Sequence, residues 1–225
     1  MIEFNRVELH YHYDEFAVLK DLTFTLNDGI NTILCDTQSG KSSVCKLLTK
    51  QFKPTKGQIL LDGQDICGIT NKALGILYLP ARPVFFENRS VKDNTVYPLK
   101  VRKVNKAERE KRFKEISKLV DLPPADTKIK KLSAKERSRV AVARGLCVER
   151  KIVLLDDFCE SKEEIFTVKN LFGNALTVVL TSKPELACDN TIVLDGGNTV
   201  YCGTAEKAAE TVNNLSWISD ILRSE

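Results

Sequence analysis

Residues 31–46 constrain this chain more than any other stretch. They read Asn-Thr-Ile-Leu-Cys-Asp-Thr-Gln-Ser-Gly-Lys-Ser-Ser-Val-Cys-Lys. Thr32, Ile33 and Leu34 make a short apolar strand. A polar turn ends in Gly40-Lys41-Ser42-Ser43, and Val44, Leu47 and Leu48 begin a helical pattern. A strand that feeds a Gly-Lys-Ser turn and then a helix is the geometry of a phosphate-binding P-loop. The helix-start amides face the anion and the lysine neutralises it. The full pattern places glycine where Cys35 stands. Glycine lets such a loop approach phosphate closely or adopt positive φ. A positive φ at Cys35 or Gln38 would cost ~1–3 kcal/mol, weakening the grip on phosphate without abolishing it. The bland alternative is a Gly-Lys-Ser turn that holds no ligand.

The rest of the composition narrows the class. The chain has 225 residues, 43% hydrophobic and 28% charged, as expected of an ordinary soluble globular protein. No apolar run approaches the ~20 residues of a membrane helix. The opening Met-Ile-Glu-Phe-Asn-Arg lacks the apolar core of a signal peptide, so a cytoplasmic protein is expected. The seven cysteines are scattered, form no C-x-x-C pair and are accompanied by only two histidines. They read as small, reduced core residues rather than a disulfide framework or a zinc site. The net charge of +4 does not by itself argue for nucleic acid. The basic segment from Lys100 to Lys114 interleaves Glu108 and Glu110, with Glu115 just beyond, at helical spacing. It therefore reads as a solvated helix face with i,i+4 pairs rather than a nucleic-acid surface.

Hydrophobic periodicity outlines the elements. Residues 2–4, 7–9 and 22–26 alternate as strands, and residues 57–66 read as a hairpin turning at Asp62-Gly63. Residues 74–79 read as a buried strand stopped by Pro80. Residues 105–120 form a helix with Ala107, Phe113, Ile116, Leu119 and Val120 as its apolar stripe. Ser133 caps the next helix with Glu136 at the capping-box position. The runs at 152–155 and 176–180 read as buried parallel strands, and 191–202 as a closing hairpin. The last dozen residues read as a helix through Leu215, Ile218, Ile221 and Leu222.

In this order the segments are recognisable. The chain resembles the nucleotide-binding domain of ATP-binding-cassette (ABC) proteins over essentially its whole length. Gly40-Lys41-Ser42-Ser43 is similar to the Walker A core and Asp156-Asp157 stands at Walker B. Residues 131–146, from Lys131-Leu132-Ser133-Ala134-Lys135-Glu136 onward, resemble the signature segment with its helix, and Ser90-Val91-Lys92-Asp93-Asn94 the entry to the helical subdomain. The resemblance implies an α/β fold: a P-loop core, an antiparallel β subdomain and an inserted helical subdomain. It makes one domain of 1–225, with a β and core part at about 1–89 and 146–225 and a helical part at about 90–145. It implies ATP and Mg²⁺ held by Gln38, Ser39, Gly40, Lys41, Ser42 and Ser43, with Ser42 and Asp156 on the metal. Tyr11 takes the place of the ring that stacks on adenine, with His12 and Tyr13 as competitors and a half-buried strand tyrosine as the bland reading. Ser133 would reach a partner's nucleotide across a dimer.

Departures from the family pattern fall on positions that carry its chemistry. Asp157 stands where the family has the glutamate that polarises water, and Ser182 where it has histidine. These two are the catalytic candidates. Asp157 is a methylene short, and a misplacement of about 1 Å can cost on the order of 10²-fold. Ser182 cannot carry charge at neutral pH. Ala81 replaces a glutamine, and Ala134 and Lys135 replace the signature glycines. Lys135 is either a contact to the partner's phosphate or a solvated helix-start charge. The reading is an ATP-binding subunit with weak or absent hydrolysis that dimerises with another cassette, alike or different. It would drive a separately encoded permease at the inner face of the membrane. Tyr97-Pro98-Leu99 and the helix that follows look like stand-alone cassettes of bacterial transporters. The alternatives are a regulatory or structural subunit, or a soluble ABC-type protein without a permease.

Overall fold

Alternation explains the first sheet, including where it breaks. β1 (Ile2–Leu9) buries Ile2, Phe4, Val7 and Leu9, and β2 (Leu19–Leu26) buries Leu19, Leu22, Phe24 and Leu26. In both strands the apolar parity shifts by one residue, which would turn half the side chains outward in a regular ladder. A bulge in each strand absorbs the shift. Phe4 pairs with Phe24, Val7 with Leu22 and Leu9 with Leu19, while Arg6 and Asp21 take φ of 51° and 50°. The Phe4 and Phe24 rings stack 4.3 Å apart.

The computed structural model describes residues 1–11, 16–36 and 40–213. They form two compact units, one of 1–78 with the chain from 151 onward, the other of 79–150. The expected boundaries at about 90 and 145 fall inside the second unit. The terminal helix expected through Leu215 and Leu222 lies outside the described residues, as do His12, Tyr13, Gln38 and Ser39.

In the first unit β3 (Ile30–Cys35) is followed by α1 (Lys41–Leu48). β4 (Lys56–Leu61) and β5 (Gln64–Asp65) turn at Asp62 and Gly63, both with positive φ, as an Asp-Gly hairpin requires. Residues 74–79 depart from expectation. Leu74 closes a short helix, α2 (Asn71–Leu74), capped by Thr70 and ended by Gly75 at φ 61°. Only then does β6 (Ile76–Pro80) begin, at a sheet edge and largely half-buried.

The second unit carries four helices. α3 (Val91–Thr95) and α4 (Tyr97–Val101) are followed by α5 (Lys106–Leu119) and α6 (Ala134–Leu146). Ser90, Asn105 and Ser133 cap α3, α5 and α6. The expected stripe of α5 is narrower than its apolar residues suggest: Phe113 and Ile116 are buried, but Leu119 is 61% exposed. Buried Asn94 bonds both backbone groups of Phe86 and accepts from Arg144, whose guanidinium lies 4.6 Å from the Phe85 ring centre.

The chain returns to the first unit with β7 (Ile152–Asp156), α7 (Lys162–Phe172) and β8 (Leu176–Thr181). β9 (Asn190–Asp195), β10 (Asn198–Gly203) and α8 (Ala205–Asn213) follow. The strands make a four-stranded antiparallel sheet, β2-β1-β4-β5, and a six-stranded sheet, β10-β9-β3-β8-β7-β6. In the second sheet β3 is parallel to β8 and β9, and β7 to β8. The starts of β6 and β7 are tied together, the Lys151 amide donating to the Gly75 carbonyl at 3.0 Å.

The fold is the expected α/β one. Five cysteines are buried free thiols, while Cys67 is half-buried and Cys202 is exposed on β10, so two of the seven are not core residues. Among the described residues no helix is long and apolar enough to cross a membrane.

Candidate functional site

Register aligns the site. In the parallel ladder Leu34 pairs with Thr181 and Asp156 with Leu180, so β3, β8 and β7 end at one edge of the sheet. That carboxyl-terminal edge is where open α/β sheets bind ligands. It gathers Cys35, Asp156, Asp157 and Ser182, and α1 starts there.

Gly40 precedes α1 with φ 96°, and a Cβ at that position would lie 2.4 Å from a Leu19 methyl. Only glycine fits without displacing Leu19. Among the described residues no side chain caps α1. The Ser43 amide turns back to the Gly40 carbonyl at 2.9 Å, and the amides of Lys41 and Ser42 point ahead of the helix toward an outside acceptor. Lys41 is 8% exposed. Its ammonium contacts the Asp157 carboxylate and lies 3.8 Å from Asp156 Oδ1.

Asp156 and Asp157 follow three fully buried aliphatics, Val153, Leu154 and Leu155. Asp157 turns sharply at φ 45°, a left-handed conformation that Asp adopts more readily than most residues. Its amide donates to the Leu180 carbonyl at 2.9 Å, which ties the turn to β8. Asp156 Oδ2 accepts the Tyr78 hydroxyl at 2.7 Å. Burial, and then the hydrogen bond to Asp156, push the Tyr78 hydroxyl above its ordinary pKa, so it stays a donor. Tyr78 was not singled out from the sequence. The signal was one polar-tipped residue in an apolar run, and only the neighbouring of β6 and β7 gives it meaning.

The two serines after Lys41 separate. Ser42 is exposed on the first turn of α1, while Ser43 is buried and shares a hydrogen bond of 2.9 Å with the Tyr11 hydroxyl. Tyr11 is half-buried. Its ring meets Phe52 edge-on at 5.0 Å, and the Lys46 ammonium lies 5.0 Å from its centre. Cys35 is the last residue of β3, fully buried and outside the positive-φ set, so the strain considered for it is absent. Burial pushes its thiol up to about 12.

Ser182 follows β8 and is half-buried. The adjoining turn is fastened by Lys183, whose amide donates to Thr181 Oγ1 and whose ammonium pairs with Glu160.

In the second unit, Ser133 is the N-cap of α6. Its hydroxyl donates to Glu136 Oε2 at 2.7 Å and its amide to the same oxygen at 2.8 Å. Those bonds hold the Glu136 carboxyl below its usual range. Ala134, Lys135 and Ala81 are exposed.

The donor set suits a phosphate with a hard divalent cation. A buried lysine and an uncapped helix start would meet the anion, and a hydroxyl and a carboxylate offer the oxygens Mg²⁺ takes alongside substrate phosphates.

The ABC transporter family matches residues 19–160. The molybdate/tungstate import ATP-binding protein WtpC of Thermococcus kodakarensis is 37% identical over 147 residues, 64% of this chain and 44% of that protein. The protein of the same name from Methanocaldococcus jannaschii is 34% identical over 140 residues, 62% of this chain and 47% of that one. The chain thus spans less than half the length of these relatives. A bacterial Atm1-family ABC exporter solved with ATP bound superposes with a TM-score of 0.79 at 23% identity. It covers 99% of this chain, which fills 42% of that one. At that identity the likeness concerns the fold.

Proposed function

The chain belongs to the ABC transporter family as a nucleotide-binding domain, and from that premise we propose that it binds ATP with Mg²⁺ and hydrolyses it weakly or not at all. The observation that carries the reading is Lys41, buried at the uncapped start of α1 and facing the Asp156–Asp157 turn. Lys41 neutralises the β- and γ-phosphates, and the α1 amides cradle them. Ser42 and Asp156 would hold the metal. Bound Mg²⁺ supplies charge neutralisation at the phosphates. Gln38 and Ser39 complete the loop, and Tyr11 offers a ring for the base.

Weak hydrolysis is supported by what the remaining groups are engaged in. The Asp157 carboxylate is paired with Lys41, Ser182 has no charge to offer, and Ala81 has no polar side chain. The Ser133 hydroxyl is held within its own capping box, which leaves it less free to reach a nucleotide across a dimer. The protein works as one cassette of a pair, bound to a membrane permease and held by it at the inner face of the membrane. The relatives named as import ATP-binding proteins support an importer.

Calorimetry of ATP binding and a turnover assay, each with and without Lys41→Ala, test the reading. Wild type binds MgATP, Lys41→Ala binds at least ~10-fold more weakly, and turnover stays below ~1 s⁻¹, the low end of ordinary enzyme rates. Faster turnover that disappears in Lys41→Ala would overturn weak hydrolysis. A wild-type protein without ATP binding would remove the nucleotide role.

A further inference from the structure

We propose that Tyr78 is a positioning residue that decides which oxygen of Asp156 faces the metal. The assignment rests on the nucleotide-binding reading and goes beyond it. Tyr78 lies on β6, the sheet neighbour of β7, which ends in Asp156. The two strands therefore hold hydroxyl and carboxylate at a fixed offset. Asp156 Oδ2 accepts a hydrogen bond from the Tyr78 hydroxyl at 2.7 Å, while Oδ1 lies 3.8 Å from the Lys41 ammonium.

The carboxylate is thus divided, one oxygen on the tyrosine and the other turned to the phosphate side. An Asp side chain rotates in a broad, roughly two-fold well about its last torsion. Without a donor on Oδ2, nothing on the β6 side selects between its two oxygens, and the group is free to swing toward Lys41. Mg²⁺ takes few carboxylate ligands and demands near-ideal octahedral geometry, so an unsteered ligand is a poor one. Removing an outer partner of a metal ligand characteristically costs 10–100-fold in metal affinity.

The experiment measures ATP affinity by calorimetry with Mg²⁺ and again in EDTA, on wild type, Tyr78→Phe, Asp156→Ala and the double variant. Tyr78→Phe keeps the ring and removes only the hydroxyl. The gain in affinity that Mg²⁺ brings falls at least ~10-fold in Tyr78→Phe. The affinity in EDTA stays at the wild-type value, which also reports an intact fold. In the Asp156→Ala background the second substitution changes nothing. An undiminished Mg²⁺ gain in Tyr78→Phe overturns the assignment, as does an equal loss with and without metal. An effect that persists without Asp156 also overturns it. Each of these outcomes leaves nucleotide binding itself standing. A wild-type protein that binds no ATP in either condition overturns the functional reading, and the assignment with it.

Discussion

Asp157 has two tasks in conflict. It sits at φ 45° with its carboxylate on Lys41, the cation proposed above to meet nucleotide phosphate. Binding phosphate means displacing that carboxylate and then tolerating it nearby. Hydrogen bonds to charged groups are worth ~1.5–3 kcal/mol when shielded, and less here because the Asp157 side chain is 39% exposed. Asp157→Asn should therefore tighten ATP binding about 3- to 10-fold, read by calorimetry in EDTA to keep metal out. Unchanged or weaker binding would show that the pair does not compete with phosphate. Lys41, Asp156 and Asp157 were legible in the sequence because charged residues at the end of an apolar run have few places to go. Tyr78 was hidden because its meaning depends on a strand 74 residues later, and sequence spacing does not say which strands become neighbours. The exposure of Ser42 and burial of Ser43 were hidden too, since both side chains have the same chemistry.

At the scale of elements, alternation located β1 and β2 but not the bulges that make their alternation consistent. Those bulges create a demand elsewhere. Gly57 on β4 has φ 70°, and a Cβ there would lie 2.2 Å from the Arg6 carbonyl oxygen. Strain and backbone collision act together in Gly57→Ala, so a loss of at least ~2 kcal/mol is expected. That corresponds to a fall of about 4 °C or more in melting temperature for a chain of this size. An unchanged melting curve would mean that the bulge relaxes around the methyl. The hairpin at Asp62-Gly63 and the Ser133 cap were readable because each rests on local chemistry. β6 was misjudged because a short apolar run looks alike in a central strand, an edge strand and a helical turn. The α5 stripe was overdrawn because helical spacing places Leu119 on a face without saying where the neighbouring surface ends.

Across the whole molecule, charge is unevenly committed. Among the described residues, five carboxyls are held below their usual range. Arg137 acts on Glu87, Lys100 on Asp93, Lys92 on Glu110, Ser133 on Glu136 and Ser161 on Glu163. The first four lie in residues 79–150. A depressed folded pKa contributes stability above the unfolded value, about 4 for Asp and Glu. That contribution is lost as pH falls through the folded value. Between pH 5 and 3, residues 79–150 should lose hydrogen-exchange protection before β3, β7 and β8 do, after correction for intrinsic exchange rates. The opposite order would show that these surface pairs do not govern acid unfolding.

The closure at Gly75 and Lys151 has a consequence for how the chain can vary. Seen from the six-stranded sheet, the chain from Gly75 to Lys151, β6 included, is one loop whose ends are a single hydrogen bond apart. The entropy of closing a loop grows only with the logarithm of its length, about 0.6 kcal/mol for each doubling. Residues gained in the exposed turns of that loop therefore add little to the entropy of closing it. The pairing of Tyr78 with Asp156 is anchored where β6 and β7 begin, so turns that lengthen beyond Pro80 leave it in place.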